Sequence, residues 1–204
     1  MNEISDFWGL VNNKIVVKIE IANEPESPFG TGFFVAKNVV CTAMHNVEKQ
    51  IEYPEIIDVY WNQKKLSVKK IVPSFQHDLV FLILKNVNND GWLLFDFKTY
   101  NLNEEYYGYG FTNTYNQYGE PVSLLYTGEH KTDAGNPLLV FKGDRVLPGM
   151  SGGPVINKNS RLLAGMIIIS RSTDGPIGGR GVSSIYIGSE FMRRCPKEFF
   201  ASFQ

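Results

Sequence analysis

Apolar residues in this chain come in short bursts separated by polar or glycine- and proline-rich stretches, a spacing that predicts strands rather than helices. Lys14–Ile21 is β-branched and alternates toward its end, and Gly30–Ala36 and Val39–His45 are apolar runs joined at Lys37-Asn38. Ile56–Trp61 and Lys65–Val72 flank Asn62-Gln63-Lys64, and Gln76–Leu84 finishes in a strongly apolar stretch. Six such strands suffice for one closed antiparallel barrel. Polar turn formers at Asn86–Gly91 then predict a connection to a second lobe. There the style repeats, with strands expected at Glu105–Phe111, Val122–Thr127, Leu138–Phe141, Gly153–Ile156, Leu162–Ile169 and Gly181–Ile187. Ser189 is placed to cap a closing helix from Glu190 to about Phe200, ended or kinked by Pro196. The expected fold is all-β: two six-stranded antiparallel β-barrels, residues 1–95 and 96–204, around a common cleft, with a short C-terminal helix.

Composition narrows the partners. Lys and Arg number 20 against 21 Asp and Glu, with no long run of one sign, so no nucleic-acid footprint is expected. No apolar run is long enough for a membrane span, and the first residues lack the basic and apolar segments of a secretory signal. The loop at 23–28 is irregular by its turn chemistry, and Tyr106, Tyr107 and Tyr109 read as packing residues. The three histidines and two cysteines do not sit at metal-ligand spacings, so neither a metal nor a cofactor is expected.

Candidate chemistry centres on Val146–Ile156, where Ser151 stands among Gly149, Gly152 and Gly153 ahead of an apolar strand. A serine hydroxyl needs a base to become a nucleophile, and the resulting oxyanion needs N–H donors. Gly149 and Ser151 are the candidates to supply those donors. The first lobe offers a base in His45, at the end of a strand, and an acid in Asp78, at the mouth of another. Gly149–Gly153 also fits the G-x-S-x-G elbow of α/β-hydrolases, but that fold needs its histidine after the serine, and all three histidines here precede Ser151. His77 and His130 read as ordinary surface or loop residues.

Taken together, Thr42-Ala43-Met44-His45, His77-Asp78-Leu79-Val80 and Gly149-Met150-Ser151-Gly152-Gly153-Pro154 resemble the three signature blocks of chymotrypsin/trypsin-like serine peptidases, most closely the compact bacterial HtrA-like branch without a visible PDZ domain. The resemblance spans about Thr31 to Tyr186 and implies one peptidase domain with its active site in the cleft. It implies a triad of His45, Asp78 and Ser151, an oxyanion hole at Gly149 and Ser151, and a protein or peptide substrate. By the same resemblance Arg145 falls at the floor of the specificity pocket, Gly181 keeps that pocket open, and Ile167-Ile168-Ile169 offers an edge to substrate. Arg145 either pairs with an acidic substrate side chain or points into solvent; both readings stay open.

Zymogen-type relatives carry an aspartate just before the nucleophile. Met150 stands there instead, so control is expected from loop ordering or from a regulatory or sensor protein. Extracellular relatives carry a disulfide beside the histidine, whereas no cysteine follows His45; Cys41 and Cys195 therefore read as reduced structural thiols of a cytoplasmic protein. A domain trimmed from a longer secreted or multidomain chain is the alternative. The functional expectation is a serine endopeptidase, in its narrower form a regulated effector protease of a bacterial antiviral defence system. A trypsin-like binding module that hydrolyses little is the competing class.

Overall fold

A computed structural model of the protein describes residues 3–22, 29–98, 100–112, 118–169 and 178–199. The predicted loop at 23–28, Ser170 and Phe200 lie outside these residues. In the first lobe, β1 (Val16–Ile21), β2 (Gly30–Ala36), β3 (Val39–Ala43), β4 (Ile57–Trp61), β5 (Lys64–Ser74) and β6 (Leu79–Leu84) close in the order β1-β2-β3-β6-β5-β4. In the second, β7 (Glu105–Gly110), β8 (Glu120–Lys131), β9 (Pro137–Gly143), β10 (Pro154–Asn157), β11 (Leu163–Ile169) and β12 (Gly178–Ser183) close in the order β10-β11-β12-β9-β8-β7. The pairings within both barrels are antiparallel.

Strand periodicity explains why β2, β3 and β6 are buried on both faces. Alternate side chains point to opposite sides of a strand. Phe34, Val40, Val80 and Leu82 therefore fill the first barrel, while Phe33, Cys41, Ala43, Leu79 and Phe81 face a separate core. That core also receives Ile156, Met166, Ile168 and Val182, so it is the junction between the lobes. The second barrel is filled by Tyr106, Leu124, Phe141, Met150, Val155 and Ile167. At the solvent side the pattern relaxes: β8 alternates buried and exposed residues over its first half. The β4–β5 hairpin turns on Asn62 and Gln63, both at positive φ (48° and 62°), the conformation a two-residue hairpin demands.

The ends of the chain cross over. α1 (Glu3–Leu10) precedes the first barrel but packs on the second, with the Trp8 ring stacked on Tyr109 at 5.2 Å and edge-on to Tyr107 at 5.0 Å. α2 (Ser184–Arg194) follows the second barrel but reaches the first, where Phe191 meets Phe81 at 5.5 Å and Ser74 Oγ donates to Glu190 at 2.5 Å.

Two sequence expectations change here. The closing helix begins five residues before the predicted Ser189 cap, because Ser183 does the capping: its Oγ accepts the Ile185 N–H at 3.1 Å. Ile185, Tyr186 and Ile187 are consequently helical rather than the end of the last strand, and Pro196 lies beyond the helix. His77 is not a surface residue; it is 9% exposed and stacks on Tyr186 of α2 at 4.7 Å. Burial pushes its imidazolium below the usual range, with Glu190 opposing and Arg193 and Arg194 reinforcing. Among the described residues, no helix is long and apolar enough to cross a membrane.

Candidate active site

His45 and Asp78 come from adjacent strands. β3 pairs with β6 so that Ala43 faces Leu79, which sets His45 just past one strand end and Asp78 just before the next. Asp78 adopts a left-handed conformation (φ 50°, ψ 42°), one that aspartate tolerates better than most residues. That bend returns its carboxylate to the histidine. Asp78 Oδ1 accepts the His45 backbone N–H at 3.0 Å, and Oδ2 lies 2.7 Å from His45 Nδ1. The Asp78 carbonyl in turn accepts the Met44 N–H at 3.0 Å. A carboxylate on Nδ1 fixes the tautomer with the proton there and leaves Nε2 as an acceptor. Both side chains keep partial solvent access, His45 at 40% and Asp78 at 31%.

Ser151 sits on the loop between β9 and β10, and the loop's peptides are pinned in turn. The Met150 N–H bonds to Leu147 at 3.1 Å, the Gly153 N–H to Met150 at 2.9 Å, and the Gly152 N–H to Ile167 at 2.7 Å. A planar peptide aims its N–H opposite its carbonyl, so the Met150 carbonyl held by Gly153 also fixes the Ser151 N–H. Among the described residues, neither Gly149 nor Ser151 donates its N–H to a backbone carbonyl. Gly152 holds φ at +85°, where a Cβ would overlap the Thr31 carbonyl and the Thr42 hydroxyl. The Ser151 hydroxyl itself donates to the Ile168 carbonyl at 2.8 Å.

The first barrel supplies the clamps on this loop. Thr31 N–H donates to the Ser151 carbonyl at 2.9 Å, and Thr31 Oγ1 donates to the Gly149 carbonyl at 2.7 Å while accepting the Phe111 N–H at 3.0 Å. Thr42 Oγ1 donates to the Thr31 carbonyl at 2.7 Å. Asn46 Nδ2 donates to both Thr42 Oγ1, at 3.0 Å, and the Ser151 carbonyl, at 2.9 Å. Neither Thr31 nor Asn46 was singled out by sequence. The available signals were a polar residue trapped between two glycines, and the identity of the residue following His45.

The remaining predicted positions divide. Gly181 pairs with Ile167 across β11 and β12. Ile167 cannot offer its own edge, because its N–H and carbonyl are taken by Gly153 and Gly152. Ile168 contributes the carbonyl that holds Ser151, and Ile169 follows a register shift at the end of β11. Arg145 is exposed just before buried Val146. Cys41 and Cys195 are free and buried, and burial pushes the Cys195 thiol up to about 12 and Cys41 well above its ordinary value, which disfavours the reactive thiolate of each. Among the described residues, no group of three or more His, Cys, Asp or Glu is placed to hold a metal ion.

Two closed six-stranded antiparallel barrels with this junction define the chymotrypsin-like serine protease fold. The chain is similar to the Rv3671c protease of M. tuberculosis in its active form, with a TM-score of 0.71 and 17% identity over 93% of this chain and 82% of that one. The inactive form of the same protease gives 0.71 and 16% identity over 90% of each chain. The apo MamO protease domain of Magnetospirillum magneticum gives 0.66 and 21% identity over 87% of this chain and 95% of that one. No family model and no curated protein matches the chain.

Proposed function

We propose that the chain is a serine endopeptidase working through His45, Asp78 and Ser151. One observation supports the reading: the residue following the carboxylate-oriented His45 bonds across the barrel junction to the carbonyl of Ser151 on its glycine loop. In the reaction the Ser151 hydroxyl turns from the Ile168 carbonyl to His45 Nε2, which takes its proton as Oγ bonds to the scissile carbonyl carbon. The N–H groups of Gly149 and Ser151 receive the oxyanion, each worth about 10²–10³ in rate. His45 then returns the proton to the leaving amine as the C–N bond breaks. Water, deprotonated by His45, releases the acid product and regenerates the serine. Asp78 holds the ring and stabilises its cation.

Substrate would add as an antiparallel strand beside Ile168 and Ile169. Gly181 pairs with Ile167 across β11 and β12. The exposed Arg145 is the candidate to meet an acidic substrate side chain. The narrower role is a regulated effector protease of a bacterial defence system that cuts a specific protein in the cytoplasm. A regulated enzyme needs an off state, and a serine hydroxyl bonded to Ile168 supports one. The same bond favours a second reading, a latent or inactive binding module. The two separate on incubation with unfolded protein substrates and mass-spectrometric mapping of new termini. Cleavage by wild type and none by Ser151→Ala supports the peptidase; intact substrate with retained peptide binding supports the module.

A further inference from the structure

Ser151 is constrained from both sides of its Cα. On one side the preceding peptide is fixed by the Gly153 N–H on the Met150 carbonyl. On the other its own carbonyl takes two donors, Thr31 N–H and Asn46 Nδ2, while the Gly152 N–H of that peptide goes to Ile167. The backbone donors come with the fold. Asn46 is different, because it is a side chain, partly buried, and it joins three things: the strand end carrying His45, the buried Thr42 hydroxyl and the serine's carbonyl. The molecule makes room for it. A Cβ at Gly30 would overlap the Asn46 carboxamide, and the three atoms nearest to that Cβ all belong to Asn46.

We infer that Asn46 is a positioning residue for the nucleophile: its carboxamide, seated against Gly30, locks the Ser151 carbonyl and holds the serine in register with His45 across the barrel junction. This rests on the peptidase reading. Substrate binding should depend on it little, because Asn46 touches the nucleophile's backbone rather than the strand edge beyond Ile167. Acylation should depend on it strongly, since a displacement on the order of 1 Å costs about 10²-fold in rate.

The test is the rate of fluorophosphonate acylation, with kcat and KM for a cleaved peptide, in wild type, Asn46→Ala, Gly30→Ala and the double variant. Asn46→Ala should slow acylation and kcat by about 10–100-fold with KM within about threefold. Gly30→Ala should do the same by displacing the carboxamide, and the double variant should be no slower than Asn46→Ala alone, the non-additivity of two residues acting on one contact. Should Asn46→Ala not fold, Asn46→Asp keeps the shape while removing the donor, and should show the same loss. Near-wild-type acylation in a folded Asn46 variant, or additive losses in the double variant, would overturn the inference alone. A wild type that neither labels nor cleaves would overturn the peptidase reading and the positioning role with it.

Discussion

The two halves of the candidate site are built by opposite means. His45 and Asp78 belong to one barrel, sit at the ends of paired strands and bond directly to each other through side chain and backbone. Ser151 belongs to the other barrel, but its loop carbonyls are held by Thr31 and Asn46 of the first. The acid–base pair is therefore held within its own barrel, whereas the serine loop, pinned within the second barrel, takes further donors from the first. Anything that loosens the junction should disable the serine before it disturbs the histidine. The Ser151 hydroxyl itself bonds to Ile168, within the second barrel.

Four substitutions sharpen or break that contrast. Ser151→Ala should lower peptide hydrolysis by roughly 10⁶-fold, the scale seen when a triad serine is removed, as read from kcat. Asp78→Asn should cost about 10⁴-fold by stabilising the wrong tautomer of His45, while the Ser151 loop stays in place in a crystal structure of the variant. Thr31→Val leaves the Gly149 carbonyl and the Phe111 N–H without the buried Thr31 hydroxyl and should destabilise the protein by about 2–4 kcal/mol in urea unfolding. The downfield Nδ1 proton resonance of His45 should survive that change, because nothing in the first half depends on it. A lost resonance would break the comparison.

The smallest effect is expected at Glu190, which ties α2 to the first barrel. Burial raises its carboxyl pKa, but hydrogen bonds from Arg193, Ser74 and Arg194 outweigh burial and hold it down to about 2. A depressed carboxyl stabilises the fold above its unfolded value near 4.5, and that stability is lost as pH falls toward 2. Discounted for its partly exposed arginine partners, the contribution is on the order of 2–3 kcal/mol. Glu190→Gln should lower stability at neutral pH and flatten its decline between these values, followed by thermal unfolding across pH.

Much of this architecture was legible in the sequence because strand pairing follows alternation and turn chemistry, which are local. Phe33 and Phe34 reveal a strand buried on both faces as soon as they appear side by side. The helix starts earlier than expected because Ile185, Tyr186 and Ile187 read locally as the end of an apolar strand, whereas Ser183 caps a helix that includes them. His77 looked like a loop residue because its stacking partner, Tyr186, is distant in the chain. Thr31 and Asn46 carry only weak local signals for the same reason: their bonds run to residues over a hundred positions away.

Reaction of the intact protein with a fluorophosphonate, mapped to a residue by mass spectrometry, tests the central claim most directly. The account predicts one adduct, on Ser151, absent from Ser151→Ala and from His45→Ala. No adduct on folded wild type, or one that persists without His45, would contradict it.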